Sequence, residues 1–305
     1  MSKASTPTQQ VEQMAVPHVL LIFSILIAIF GTAANSLSLS YFITTIRSNC
    51  GTKNSDGPTT KLFAALNILD LLVSVFLTVM FLLSLFSEDV VLHEVIYTVV
   101  MISALLTGFL TCLLAVVRAT HLIFPLHVMN WRAVNASIAV YFTVLVVVRS
   151  VHLITFHTTG NVFAIDVIFS SLIATVFLTV VVSNVISVIK LYFSQFSHTE
   201  TKDVKKRATI TVTIISVIYL ICNIGFVVLI GVGALSRETL SLVSNELFYA
   251  AYFILPALNS ACNPVVYFIR KEEMREYVKT LFGRVGGCFC KKRTDNSTVV
   301  ELHTQ

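Results

Sequence analysis

Long apolar segments alternate with short polar ones along almost the whole chain. Residues 18–46 carry no Asp, Glu, Lys or Arg, and neither do 95–117, 167–189, 208–236 and 247–269. Residues 62–87 contain one charge, Asp70, and residues 133–159 contain one, Arg149. Each segment is long enough for the ~20-residue helix that crosses a bilayer core of ~30 Å. The polar connections at 47–61, 88–94, 118–132, 160–166, 190–207 and 237–246 are short. The segments lack the ten-residue alternation of a transmembrane β-barrel. The pattern predicts an all-α membrane protein, a seven-transmembrane helix bundle over 18–269. Residues 1–17 precede the bundle and residues 270–305 follow it.

Composition agrees. Of 305 residues, 56% are apolar and 12% charged, about half the ~25% charge of a soluble domain. That excludes a single water-soluble domain and a disordered chain, and makes the lipid bilayer the first partner. The net charge of +5 is too small to imply binding to nucleic acid. Its distribution says more. Eighteen Lys and Arg lie in connections 47–61, 118–132 and 190–207 and after residue 269, against Lys3 and Arg237 on the other face. The positive-inside rule then places the N-terminus outside and 270–305 in the cytoplasm. Val19–Phe30 followed by the small residues Gly31–Ala34 also fits a secretory signal. Cleavage there would put every basic loop on the wrong face, so this stretch is read as the first span.

None of the six cysteines falls in an outer connection, and none has metal-ligand spacing. Cys288 and Cys290 sit beside Lys291–Arg293 and are either acylation sites or plain cytosolic thiols. The sequons at Asn135 and Asn296 lie on the inner face and should carry no glycan.

A charged side chain in a span costs ~2.5–3.5 kcal/mol on insertion scales, so Asp70 needs an explanation. Counted from Lys61 at 1.5 Å per residue, it lies near mid-bilayer. Asn35, Thr107, Asn259, Ser260 and Asn263 fall at similar depth in other spans. Such oxygens around one carboxylate can hold water or a small hard cation such as Na⁺ (Asp70, Thr107, Asn259, Ser260 and Asn263 being the candidate ligands). Alternatively they form a hydrogen-bonded polar core that only ties helices together.

Motifs now line up in order. The first span has Gly31-Thr-Ala-Ala-Asn35 and the second Leu66-Asn67-Ile-Leu-Asp70. The third ends at Arg118, followed by Pro125-Leu126. The sixth has Tyr219-Leu-Ile-Cys222-Asn223-Ile-Gly225-Phe226. The seventh has Asn259-Ser260-Ala-Cys-Asn263-Pro264-Val-Val-Tyr267. This series resembles the rhodopsin-like (class A) G protein-coupled receptors, over all seven spans. The resemblance implies a plasma-membrane receptor with an extracellular ligand and a heterotrimeric G protein as partner, and no enzymatic activity. It implies coupling and activation roles for Arg118, Pro125, Leu126, Pro264 and Tyr267. It also implies a short amphipathic eighth helix from Phe268-Ile-Arg270-Lys271, with Met274, Val278 and Leu281 on one face.

The departures carry information. Val117 and Ala119 flank Arg118 where the family has an acid and an aromatic residue. Lys205 and Lys206 stand where many members have an acid. Arg118 thus lacks both usual restraints, which implies raised basal signalling. Asn223 and Gly225 replace the usual Trp and Pro of the sixth helix, and the fifth helix lacks its proline. His93 stands where a third-helix cysteine would anchor the outer disulfide.

The resemblance places a ligand pocket in the outer half, facing Val100, Met101 and Ala104, with Asn223 and the aromatic walls Phe226, Tyr249 and Phe253. Val100 in place of Asp argues against a biogenic amine, and Ala257 in place of Lys argues against retinal. Arg149 and His152, one turn apart, either meet an anionic ligand group or leave Arg149 snorkelling to the headgroups. The outer connections and N-terminus carry seven acids against two bases, a surplus that favours a cationic ligand such as a basic peptide. The rival readings are a small seven-helix transporter or channel, which predicts charged relays or broken helices in paired halves, and an intramembrane enzyme. Only Asp70 and Arg149 are charged within spans, and His152 and His157 lack acidic partners at ligand spacing.

Overall fold

The computed structural model describes residues 18–48, 57–86, 90–124, 131–159, 163–193, 200–235 and 253–294. These form helices α1 (His18–Ser48), α2 (Gly57–Phe86), α3 (Val90–Ile123), α4 (Trp131–Thr159), α5 (Phe163–Phe193), α6 (Glu200–Leu235), α7 (Leu255–Arg270) and α8 (Glu272–Thr294). No strand occurs among the described residues. Many of these segments are rich in Val and Ile, which slightly disfavour helix in water. In lipid the balance reverses, because a helix satisfies every backbone N–H and C=O within itself. Hydroxyls on the outer faces are satisfied in the same way: Ser36, Thr143, Thr175 and Thr179 each donate to the carbonyl four residues earlier at 2.8–2.9 Å.

Among the described residues, six helices are long and apolar enough to cross a membrane: Leu20–Ser48, Thr59–Leu83, Val95–Ile123, Arg132–Thr155, Ser170–Leu191 and Arg207–Leu229. The seventh expected span, 247–269, falls within the described residues only from Phe253 onward, where α7 begins after a short π-turn. The burial pattern is that of a chain whose solvent is lipid. Val140, Ile154, Leu178 and Ile221 are each 63% exposed, whereas Asn35, Asn67 and Asp70 are wholly buried. The chain is therefore a multi-pass, all-α membrane protein.

Helix α3 is the hub, packing on α2, α4, α5 and α6, while α7 closes against α1, α2 and α6. Helix α4 is peripheral. Between Arg132 and Thr155 only Val134 and Leu145 are buried. At the other end of the chain, Lys271 leaves the helical region (φ −105°, ψ 110°) while its N–H still donates to Tyr267 O at 2.8 Å. That one extended residue turns the chain from α7 into α8. Of the expected apolar face of α8, Met274 is buried, Val278 half-buried and Leu281 exposed.

Candidate functional site

The polar site grows from the middle of α2. Asp70 is fully buried there. Asn263 of α7 donates through Nδ2 to Asp70 Oδ2 at 2.7 Å, and Ser260 Oγ donates to Oδ1 at 3.4 Å. Thr107 faces the carboxyl from α3. Two of the expected neighbours therefore grip the carboxylate. Asn35 does not touch it, and its place has a different cause. Pro264 has no N–H, so the carbonyl of Ser260, four residues earlier, loses its helical donor. Asn35 Nδ2 fills that gap, donating to Ser260 O at 3.0 Å and to Gly31 O of its own helix at 2.9 Å. Gly31 makes the approach possible: a Cβ there would lie 2.7 Å from Ser74 Oγ and 3.5 Å from Ala261 Cβ. The Asn-Pro break in α7 is thus healed from α1, at the same Ser260 whose hydroxyl holds Asp70.

Several buried oxygens in this region make no hydrogen bond with the described residues: Asn35 Oδ1, Ser74 Oγ, Thr107 Oγ1, Asn259 Oδ1 and Asn263 Oδ1. Buried polar atoms are rarely left so unless water or an ion meets them. One carboxylate with neutral oxygens suits a monovalent, oxygen-seeking cation. No cluster of three or more His, Cys, Asp or Glu that would hold a transition metal occurs among the described residues.

Nearer the basic face, Tyr267 is wholly buried between Phe42 and Phe63, edge-on to both at centroid distances of 5.3 and 5.1 Å. Lys271 Nζ stands over both rings, 4.8 Å from Phe42 and 4.9 Å from Phe63. A cation over two ring faces at this distance is attractive, so one lysine clasps α1, α2 and the start of α8. Ser40 Oγ and Tyr277 OH, 2.6 Å apart, add a second tie from α1 to α8. Arg118 is buried near the C-terminal end of α3, and Val117 before it packs into the same apolar cluster as Leu66, Leu114 and Tyr267. Pro125 and Leu126 lie outside the described residues. So do the side chains of Cys288 and Cys290 within α8, and those of Lys205 and Lys206 within α6.

Toward the other end, a cavity opens among four helices. Val100, Met101, Ala104 and Leu105 line it from α3, and Ile173 from α5. Tyr219 and Asn223 of α6 and Pro256 of α7 complete the wall. Of the expected pocket residues, Val100, Met101, Ala104 and Asn223 are therefore brought together. Phe253 and Arg149 are placed elsewhere. Phe253 contacts the rings of Phe81 and Tyr97, each at 6.3 Å. Arg149 turns toward α3: Nη2 donates to Thr98 Oγ1 at 3.3 Å, Nη1 lies 3.2 Å from His152 Nδ1, and the guanidinium stands 5.6 Å over Tyr97. The Phe226 side chain and residue Tyr249 lie outside the described residues. Leu105, Ile173, Tyr219 and Pro256 were not expected. Tyr219 in particular depends on Gly108, whose missing side chain admits the phenol: a Cβ there would meet Tyr219 Cζ at 2.9 Å.

Compared with protein-family models and with the sequences of curated proteins, the chain matches none of them.

Proposed function

We propose that the protein is a rhodopsin-like G protein-coupled receptor of the plasma membrane, with its N-terminus outside, seven spans, and α8 lying along the inner leaflet. The observation that carries this reading is a cavity stacked on a polar node through shared helices. Val100 to Leu105 line the cavity on α3, and Thr107 faces Asp70 one turn further along. Pro256 lines it on α7, and Ser260 and Asn263 hold Asp70 one and two turns on. A ligand that shifts α3 or α7 at the cavity therefore acts on the node through the same helix.

The ligand favours a minor conformation in which the inner ends of α5 and α6 move apart. Arg118 and Tyr267 then face the opened inner cavity, where a heterotrimeric G protein binds and exchanges nucleotide. Pro125–Arg132 and Lys202–Arg207 form its rim. Na⁺ at Asp70, with Thr107, Asn259, Ser260 and Asn263 as oxygen donors, favours the resting arrangement. The apolar Val117 beside Arg118 predisposes the receptor to basal signalling.

The test is guanine-nucleotide-sensitive co-purification with heterotrimeric G proteins, alongside basal second-messenger output. Association released by a GTP analogue, with output above mock-transfected cells, is expected. A chain that binds no G protein would overturn the reading and reopen the transporter alternative. Asp70→Asn should abolish the sodium sensitivity of nucleotide exchange; unchanged sensitivity would remove the cation from the scheme.

A further inference from the structure

We infer that the cavity between α3, α5, α6 and α7 takes a small, neutral, largely apolar molecule with a single hydrogen-bond donor, held by the side-chain carbonyl of Asn223. The inference rests on the receptor reading and narrows it, because the sequence alone pointed the other way. Seven acids against two bases at the outer connections favour a cationic ligand at the approach. The cavity itself offers such a ligand nothing. None of its described lining residues is charged. The two charges within the apolar segments are committed: Arg149 to Thr98, His152 and the Tyr97 ring, and Asp70 to Asn263 and Ser260. An ammonium brought into this wall would be stripped of water with no counter-charge, which is strongly unfavourable. A carboxylate would fare no better.

The wall also decides the polarity of the ligand. Val100, Met101, Ala104, Leu105, Ile173 and Pro256 offer only apolar contact. Asn223 spends an amide N–H on Tyr219 O at 2.8 Å, in its own helix. That bond fixes the side chain, and its Oδ1 accepts no hydrogen bond from any described residue. A fixed acceptor in an apolar wall rewards one donor, such as a hydroxyl or an amide N–H.

The experiment uses the purified full-length protein in nanodiscs of neutral lipid. Unfolding is followed by a thiol-reactive dye that reports exposure of the buried Cys112 and Cys222. Linear, monocyclic and polycyclic hydrocarbon skeletons of graded size are each added as the alcohol, the methyl ether and the protonated amine. The alcohol of at least one skeleton should raise the midpoint saturably, its ether should bind about ten-fold more weakly, and its amine should not bind. Asn223→Leu should equalise alcohol and ether. Ala104→Phe or Ile173→Trp, which fill the cavity from different helices, should abolish the shift. Stabilisation by no alcohol, equal stabilisation by the amine, or a shift that survives both filled-cavity variants would overturn the inference. The readout needs no G protein, so its failure is separable from failure of the receptor reading, which nucleotide-sensitive co-purification decides.

Discussion

The α1–α2–α7 seam and the α3–α5–α6 side of the bundle are built on opposite principles. The seam is cross-linked by polar side chains: Asn35 reaches the Ser260 carbonyl, Asn263 and Ser260 reach Asp70, and Lys271 spans the rings of Phe42 and Phe63. The other side is joined by apolar contact, with Cys112, Val176, Val180 and Tyr219 as its buried cluster and a cavity in its wall. Helices in lipid gain little from apolar packing alone, since lipid tails compete for the same contacts. The seam is therefore the frame, and the hollow side is the part free to rearrange.

The largest effect should come from cutting the seam at its broken carbonyl. Asn35→Leu leaves Ser260 O buried without a donor, beside a proline that cannot supply one. We expect a loss of about 1–3 kcal/mol, read as a lower midpoint in the Cys112/Cys222 thiol-exposure assay. Asn223→Leu removes an amide of the same type on the hollow side, where Tyr219 O retains its helical donor. It should cost less than half as much. Equal losses would abolish the distinction between frame and hollow side.

Second is a tight backbone approach on the hollow side. Gly108→Ala drives a Cβ into the Tyr219 ring, and a rigid ring cannot yield as a flexible chain end would. Overpacking of this kind costs about 1–3 kcal/mol. Gly108→Ala with Tyr219→Leu should recover most of the loss, because the obstacle is gone. A double variant no more stable than the single one would show that the ring moves freely, and that the cavity wall is not set by this contact.

These residues also mark what can be read without coordinates. The six described spans follow from charge-free length, and depth alone placed Asp70 with Ser260 and Asn263. The α3 pocket face followed once Arg118 fixed the register by family resemblance. The Asn35–Ser260 link was within reach, since a proline always frees the carbonyl four residues before it. Only the choice of Asn35 as donor needed the packing of α1 on α7. Ile173 and Tyr219 were out of reach for a physical reason. The hydrophobic spans are apolar on every side, so no moment reports which face of α5 or α6 turns inward. The partners of Arg149 were out of reach for a related reason, because a half-buried cation finds its ring and hydroxyl partners on a neighbouring helix.

A smaller effect is expected where the seam meets α8. Lys271→Met keeps the length of the side chain and removes the charge over Phe42 and Phe63. It should destabilise by about 0.5–2 kcal/mol, with faster limited proteolysis at the α7–α8 junction, whereas Lys271→Arg should stay near wild type. In the receptor reading, Tyr267 sits under this clasp, so Lys271→Met should also raise basal nucleotide exchange. Faster proteolysis with unchanged exchange would confine the clasp to an anchoring role.

The smallest effect tests whether the peripheral helix belongs to the frame at all. Arg149 ties α4 to α3 through Thr98 and the Tyr97 ring, but it is only half-buried and its hydrogen bond to Thr98 is long at 3.3 Å. Partly solvated polar ties contribute little, and a leucine at this depth gains back lipid contact. Arg149→Leu should therefore shift stability by no more than about 1 kcal/mol and leave the thiol-exposure midpoint almost unchanged. Tyr97 touches Phe253, and Phe253 touches Phe81 on α2. If Arg149→Leu lowered the midpoint as far as Asn35→Leu, that aromatic path would be transmitting load from α4 into the seam, and α4 would have to be counted as part of the frame.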